Sequence, residues 1–483
     1  MSVRVRAFIV GASVSAAAAA GCQTPDPQPQ HPNSYPTARA AGSPATTTTL
    51  PPATPAVAAL PTTASSGVVP ASFAPVSGSP MTIADLEQLA LANNPTLVQA
   101  ATFIDAARGK ALQAGLPYNP TAGISAENIG AARTAGEWTW FSLQQQIVTG
   151  GKLRLSRQKY EQEAELAEIQ AQAQRLKVVN GLTAAYFDVL SAQLTVENER
   201  QLSKNAEEAV KTTEQMLNVG QANKQDLLQA QIEASQVRIA VRNAEDRLRQ
   251  NWVHLATQVG VPDLPQQPLV GQLEPDGPAL DRAESLARLL QDSPELAFAV
   301  TKVRQDQTQL QRERWEPIPN VTVNGGVGYN YETQNPTARV GLSLPLPLFD
   351  RNQGTVRQAA ADLTRSQAEV SRIQLELQRR FADAFTRYQM SRDEAENFRD
   401  QVLPKARKAV ELYEEQLNAR RAAFPQVLVA RRTAYQLNED YNKSLVQFRR
   451  AEVEVRGLLL VDGLTAPSNP TPPGHIGATP RPR

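Results

Sequence analysis

The residue types that most often carry metal or nucleophilic chemistry are scarce and scattered in this sequence. The three histidines, His31, His254 and His475, and the single cysteine, Cys22, lie far apart along the chain. A metal centre needs clustered ligands, and a catalytic site needs a nucleophile beside a base. No glycine loop followed by Lys and Ser or Thr is available to hold nucleotide phosphates. The sequence therefore predicts a protein that is not an enzyme and has no cofactor or metal centre.

Cys22 has a different chemistry, because it follows a secretory signal. Arg4 and Arg6 precede the apolar run 7–20, and small residues come directly before Cys22. These are the parts of a signal peptide, so residues 1–21 are predicted to be removed. A lone cysteine in an exported chain forms no internal disulfide, and its position resembles that of the acylated cysteine of bacterial lipoproteins. Cys22 is therefore predicted to carry lipid; the alternative is an ordinary signal peptide with an incidental cysteine.

Both ends of the mature chain have compositions that do not favour a packed core. Residues 22–80 are rich in Pro, Thr, Ser and Ala and are predicted to form a disordered tether, and residues 464–483 a disordered tail. No later segment is long and apolar enough for a transmembrane helix. The net charge of +1 provides no general basic surface, which excludes nucleic acid as a partner.

The chain between these ends consists of two similar halves, residues 81–280 and 281–463. Pro95 and Pro294 occupy the same place in two similar stretches, LALANNPTL and LARLLQDSPEL, that begin about 200 residues apart. The register aligns Leu143 with Leu342, Ile147 with Leu346, Ala185–Tyr186 with Ala384–Phe385 and, after one inserted residue, 218–230 with 418–430. Solenoid repeats are roughly 20–50 residues long, so each half is instead predicted to supply an equivalent set of elements to one fold.

Each half contains a long helical pattern with apolar residues every three or four positions. Residues 152–259 and 352–460 are predicted to form helical hairpins that reverse at 218–224 and 418–425, where Gly220 and Pro425 interrupt the pattern. A continuous helix over 152–217 would be about 100 Å long. Helices of this length need partner helices, so each half should form an antiparallel, coiled-coil-like hairpin.

A strand pattern precedes each helical hairpin, at about 118–149 and 318–349. Apolar and small or polar residues alternate in runs of about ten, the length that a transmembrane β-barrel strand needs. Trp138 and Trp140 are candidates for an aromatic girdle at the membrane surface. The alternative is a soluble β-ribbon that caps a coiled coil.

The strand count determines the expected assembly. Four strands cannot close a barrel, and open strand edges are not tolerated in lipid. Two copies would give eight strands with a filled interior, whereas three would give twelve strands and a bore. The predicted fold is mainly α-helical with a transmembrane β-barrel: the chain contributes four strands to a 12-stranded barrel of a homotrimer, and its helical hairpins form an α-barrel.

Taken together, these features resemble the TolC family of outer-membrane efflux channels across residues 81–463. The matching stretches are residues 92–97, 291–296, 146–152 and 220–228. Residues 344–354, LPLPLFDRNQG, resemble the exit of the second strand pair in the heavy-metal efflux branch. The resemblance implies a trimeric channel in the outer membrane with a periplasmic helical extension, which docks onto a periplasmic adaptor of an inner-membrane pump.

The resemblance also implies that the helical tips close the channel and bind the adaptor. The candidate residues at the two tips are Gly220, Lys224, Asp226, Arg420, Arg421 and Pro425. The second tip departs from the family, because it has two arginines where a glycine is usual. Our hypothesis is that Asp226, Arg420 and Arg421 contribute to a closed-state charge network or to docking; the alternative is solvated loop charges that contribute little.

The predicted function is passive conduction of metal cations or small toxic molecules to the exterior. The stretch 344–354 favours metals by resemblance only. The rival interpretation is a structural coiled-coil lipoprotein that acts as a periplasmic spacer. A spacer gives no reason for alternating strands at the same place in both halves, so the strand pairs discriminate between the two functions.

Overall fold

The computed structural model describes residues 80–133, 135–275, 277–419 and 424–468. The signal peptide, Cys22, Arg420, Arg421, nearly all of the predicted tether and most of the predicted tail lie outside the described residues. For Pro425 the backbone is described and the side chain is not.

The described residues of the first half form four α-helices, α1 (Ile83–Asn93), α2 (Pro95–Gly115), α3 (Lys152–Asn218) and α4 (Lys224–Val259), and a 3-10 helical turn, Ala131–Arg133. Pro95 is the first residue of α2, where its missing N–H costs no hydrogen bond, and the Asn94 side chain accepts a hydrogen bond from the N–H of Thr96 at 3.0 Å. Helix α3 runs without a break for 67 residues, about 100 Å. Its length follows from the absence of proline.

The second half contains helices α5 (Arg282–Asp292), α6 (Pro294–Trp315), α7 (Gln353–Asn397), α8 (Leu403–Asn418) and α9 (Phe424–Arg456). Pro294 begins α6 as Pro95 begins α2. A π-helical segment, Phe398–Val402, separates α7 from α8. Pro404, in the first turn of α8, has no N–H, and its ring excludes the carbonyl of residue 400 from regular helical geometry. The long helix of the second half is therefore interrupted where that of the first is not.

The four strands form one antiparallel sheet in the order β1 (Thr121–Glu127), β2 (Glu137–Ile147), β3 (Val321–Asn330) and β4 (Asn335–Ser343). Strands β2 and β3 pair over their length, from Glu137 with Asn330 to Ile147 with Val321. This pairing joins the two halves, and it leaves β1 and β4 at the edges of the sheet.

The apolar core repeats between the halves. In the first half α3 buries Val178, Leu182 and Tyr186 against α1 and α4. In the second half α7 buries Leu377, Phe381 and Phe385 against α5 and α9. Each residue of the second set follows its counterpart at the same spacing that separates Pro95 from Pro294. The predicted fold class, mainly helical with four antiparallel strands and an internal repeat, is confirmed.

Among the described residues, no helix combines the length and the apolar character that crossing a membrane requires.

Candidate channel wall and helical tips

The two faces of the sheet differ sharply in polarity. Side chains alternate between faces along a strand, and paired residues on neighbouring strands share a face. One face, the apolar face, carries Ala122, Trp138, Phe141, Leu143, Ile147, Val323, Val327, Tyr329, Val340 and Leu342, with Gln145 as a polar exception. The other, the polar face, carries Glu127, Glu137, Thr139, Ser142, Gln144, Gln146, Thr322, Asn324, Thr337, Arg339 and Ser343.

The large side chains of the apolar face are exposed in the single chain. Val340 is 89% exposed and Leu342 is 67% exposed. A soluble protein rarely leaves so many apolar side chains uncovered on one surface. The apolar face would be stable against the hydrocarbon chains of a membrane, and the polar face would be stable in water.

Aromatic rings gather on the sheet toward the ends where the strands turn. The rings of Trp140 and Tyr329 are stacked with centroids 6.2 Å apart, and Tyr331 packs edge-on against Tyr329 at 5.0 Å. Tyr and Trp favour the boundary between lipid and water because each ring has a polar atom. The structure therefore contains a cluster of rings that could form the predicted aromatic girdle. The position of the membrane surface at this cluster stays a prediction.

The first tip is a tight turn between α3 and α4. Gly220 has a φ of +75°, and its N–H donates to Leu217 O at 3.0 Å while the N–H of Gln221 donates to Met216 O at 2.7 Å. These two bonds close the end of α3 in a Schellman motif, in which glycine adopts the left-handed conformation without strain. Gly220 therefore has a local structural reason to be present.

Asp226 and Lys224 lie in the first turn of α4. One carboxylate oxygen of Asp226 accepts a hydrogen bond from the N–H of Asn223 at 2.9 Å, and the negative charge suits the N-terminus of a helix. Lys224 is exposed as the first residue of the helix. The structure brings these two residues and Gly220 together at one turn and gives Asp226 a capping role, whereas a part in gating or docking stays a prediction.

Near the second tip, an ion pair links the two helices that the tip connects. Arg431 of α9 lies 2.7 Å from Glu414 of α8, and both side chains are more than a third exposed. Pro425 is the second residue of α9, a position that tolerates the missing N–H. The predicted contribution of Arg420 and Arg421 concerns residues outside those described.

The two helical hairpins contact each other where α3 packs against α9. Asn205 of α3 donates a hydrogen bond from its side-chain amide to the hydroxyl of Tyr435 in α9. Nearby, a small cavity is lined in part by Glu199, Tyr435, Glu439 and Asn442. Glu199 Oε2 and Asn442 Nδ2 are buried without a hydrogen-bond partner among the described residues. Burial and, to a lesser extent, the charge of Glu439 raise the pKa of Glu199.

The contact between the hairpins has no signal in the sequence. Asn205 and Tyr435 lie on different halves, 230 positions apart in the sequence. The alignment of the two halves does not pair these residues either, because α3 and α9 are not equivalent elements of the repeat. Only the packing of the two hairpins brings these residues together.

Within the described ranges, no three His, Cys, Asp or Glu side chains are grouped so that they could hold a metal ion. His254 is an exposed residue of α4.

Comparisons with known proteins agree with this architecture. The family of outer membrane efflux proteins matches residues 86–261 and 286–459, one segment in each half. The chain is 25% identical over 385 residues to the cobalt-zinc-cadmium resistance protein CzcC of Cupriavidus metallidurans, covering 79% of this chain and 91% of that protein. It is 26% identical over 310 residues to the nickel-cobalt-cadmium resistance protein NccC of Alcaligenes xylosoxydans xylosoxydans, covering 60% of this chain and 66% of that one.

Among solved structures, CusC has the same fold, with a TM-score of 0.66, 17% sequence identity and coverage of 79% of this chain and 92% of CusC. The family matches most of the chain, and the fold agrees with that of CusC. The resemblance predicted from the sequence is therefore confirmed: the chain belongs to the outer membrane efflux proteins, the TolC family, and is located in the outer membrane with a helical part that extends into the periplasm.

Proposed function

We propose that this chain is the exit channel of a tripartite efflux system, which conducts substrate passively from an inner-membrane pump and a periplasmic adaptor to the exterior. The observation that carries the proposal is the sheet, which has one polar face, one apolar face and two unpaired edges. These properties suit a segment of a barrel wall, because the edges of β1 and β4 can pair with neighbouring copies.

The proposed assembly is a homotrimer. Each copy would add its four strands to a barrel of twelve, which is wide enough for a water-filled bore. Cyclic symmetry would place the long helices of all three copies around one axis as an α-barrel. The polar face of the sheet would then line the bore, and the apolar face would contact lipid.

Opening would require the helical tips to move apart. The helices would change from a closed packing to an open one, and contacts with the adaptor would favour the open packing. Between the hairpins, the hydrogen bond of Asn205 with Tyr435 is one contact that such a shift would break. We further propose that Arg420, Arg421 and Asp226 act in closure or docking. If the double variant Arg420→Ala with Arg421→Ala leaves both efflux and adaptor cross-linking unchanged, the arginines have no such role.

Metal cations are the substrate class that the comparisons support. Two relatives have names that state resistance to cobalt and cadmium together with zinc or nickel. Passive conduction needs no resident metal site, because the pump selects and drives the substrate. Other small toxic molecules are the alternative, and a strain that lacks the protein discriminates: sensitivity to cobalt, zinc, cadmium or nickel supports metals, whereas sensitivity to drugs alone contradicts them.

The N-terminus would anchor the chain to the membrane. The proposed order is a cleaved signal at 1–21, an acylated Cys22 and a tether to residue 80, followed by the two halves. Mass spectrometry of the mature protein tests this order. A first residue other than Cys22, or an unmodified Cys22, would contradict the anchor without affecting the channel.

The channel itself is tested with protein extracted from the outer-membrane fraction in mild detergent. A mass of three chains and discrete ion currents in a planar lipid bilayer are the expected results. A single chain without current would instead support the periplasmic spacer.

A further inference from the structure

The charged residues of the four strands gather in one place. Among all residues of β1 to β4, only Glu127, Glu137 and Arg339 are Asp, Glu, Lys or Arg. Each lies on a different strand, and the pairing register places all of them on the polar face. We call these residues the wall triad. Uncharged residues occupy the rest of this face, so the triad supplies all the formal charge that the strands present there.

Ion pairs hold the wall triad together across the sheet. Arg339 Nη1 lies 2.9 Å from Glu127 Oε1, and Arg339 Nη2 lies 2.9 Å from Glu137 Oε2. The guanidinium of β4 therefore bridges carboxylates on β1 and β2 and passes over β3. Strand β3 has Gly326 and Gly328 on this face, so no side chain stands in its way at these positions. The arrangement neutralises only one of the two carboxylate charges.

The two carboxylates of the wall triad lie at the end of the sheet that is remote from the helices, and Arg339 reaches them from the middle of β4. Glu127 is the last residue of β1 and Glu137 the first of β2, so both adjoin the turn between these strands. Helix α3 begins at Lys152, beyond the opposite end of β2 at Ile147. In the proposed channel the helices extend into the periplasm, so the triad would lie toward the outer mouth of the bore.

We propose that the wall triad sets the ion preference of the strand-lined bore and favours cations. This inference rests on the proposed trimeric channel. Three copies would place three arginines and six glutamates around the bore, with a net excess of negative charge. Rings of Asp and Glu side chains favour cation passage, and the low-dielectric wall of a membrane pore strengthens their field. Arg339 fixes the position of the carboxylates and limits the excess to one charge per chain.

The ion preference can be measured with purified trimers in a planar bilayer that separates two concentrations of potassium chloride. The measured quantity is the reversal potential of the current. The reversal potential of the wild type should lie between zero and the equilibrium potential of potassium. Arg339→Gln should move the reversal potential further toward potassium, because the excess per chain grows by one charge. The double variant Glu127→Gln with Glu137→Gln should move it toward chloride, because only the arginine charge is left.

Two further variants separate the charge of the triad from its structural role. Arg282→Gln makes the same change in formal charge as Arg339→Gln at an exposed position at the start of α5, and it should leave the reversal potential unchanged. Arg339→Lys keeps the charge with a different geometry and should retain the wild-type preference. A variant that fails to assemble is recognised by its mass, and the other charge variant, Arg339→Gln or Glu127→Gln with Glu137→Gln, then supplies the test.

Two results would overturn the inference in distinguishable ways. If the trimer conducts and the triad variants reverse at the same potential as the wild type and Arg282→Gln, the channel stands and the triad does not set its ion preference. If the wild type carries no current, the proposed channel fails and the role of the triad fails with it.

Discussion

The two ends of α3 differ in how they are packed, although they belong to one continuous helix. Near the strands, in residues 152–167, α3 packs against α2 and α6 with charged side chains in its interface. Lys152, Lys159 and Glu163 are each no more than 5% exposed there. Near the tip, in residues 195–218, the helix packs against α4 and α9 mainly through small side chains such as Ala206 and Ala209.

The buried charges near the strands are connected to several elements. Glu163 accepts from Lys110 of α2 at 2.6 Å, and Arg312 of α6 donates to the Ser156 hydroxyl at 2.9 Å. Lys152 donates to the carbonyl of Ile318, just before β3, at 2.8 Å. Removing one partner of a buried ionic contact leaves the other charge uncompensated in a poorly solvated place. This end of α3 is therefore costly to separate from its neighbours.

Separating α3 from its neighbours should cost less free energy at the tip end than near the strands. Small side chains bury little apolar area, and the ion pairs between α3 and α4 in this part, such as Arg200 with Glu245, have exposed arginines. Toward α9, the hydrogen bond of Asn205 with Tyr435 lies in this part of α3, beside a cavity with unpaired polar atoms. The ion pair of Asp188 with Arg450 of α9, at 2.6 Å, lies nearer the strands. One helix can therefore be fixed to the strands at one end and release its partner hairpin at the other, as the proposed opening requires.

The largest expected effect comes from removing a buried carboxylate at the fixed end. Glu163→Ala should lower the free energy of unfolding by about 3 kcal/mol, because Lys110 loses its partner and Lys159 loses the nearby negative charge. Urea unfolding of the detergent-solubilised protein, followed by circular dichroism, measures the change.

Glu168→Ala is the matched control. Glu168 joins the same two helices through Arg108 at 2.8 Å, but its side chain is 45% exposed. An exposed ion pair contributes less than about 1 kcal/mol, so the control should be close to the wild type. Equal losses in the two variants would show that burial does not distinguish this end of α3.

A smaller effect is expected from the hydrogen bond between the hairpins. Tyr435→Phe removes the hydroxyl that accepts from Asn205 and keeps the ring. The loss should be about 1 kcal/mol, or roughly a fivefold shift toward the separated packing in each chain. Single-channel recordings should show a higher open probability, and the free energy of unfolding should fall by no more than about 1 kcal/mol.

Tyr413→Phe on α8 removes a hydroxyl from another residue of the same hairpin and serves as the control for that measurement. If both variants gate like the wild type, the contact of α3 with α9 does not restrain the tips.

Much of the fold could be predicted from the sequence because its signals are local. The alternation of Val321 to Asn330 gave a strand, and the proline-free run after Lys152 gave one long helix. The capping role of Asp226 is also local, since Asn223 precedes it by three residues. The interruption before Pro404 was missed because the apolar spacing of the second half continues across it.

The contacts for which we propose functions depend on distant residues and could not be predicted in the same way. Arg339 meets Glu127 and Glu137 only because β2 pairs with β3, a pairing between halves that no turn sequence specifies. Asn205 and Tyr435 meet only when the hairpins pack. Periodicity identifies which face of an element is polar, but it does not identify the partner on another element.

The smallest expected effect concerns the pH dependence of the contact between α3 and α9. Burial and then the charge of Glu439 raise the pKa of Glu199 above its ordinary value of 4.5. The packed state therefore binds more protons than a state in which Glu199 is solvated. The contribution of Glu199 to the stability of the packed state is therefore greatest below pH 4.5 and decreases as the pH rises through the raised pKa. The hairpins should consequently separate more readily at neutral pH than under mildly acidic conditions.

Glu199→Gln keeps the shape of the side chain and removes the titration. The variant should hold the hairpins together at neutral pH as the wild type does under acidic conditions, so its open probability should stay low and flat across the titration. Glu197→Gln, an exposed position two residues earlier on α3, should keep the wild-type pH profile. Identical pH profiles of open probability for all three proteins would mean that the buried carboxylate does not weaken the contact of α3 with α9. The small contact area alone would then have to explain how the hairpins separate.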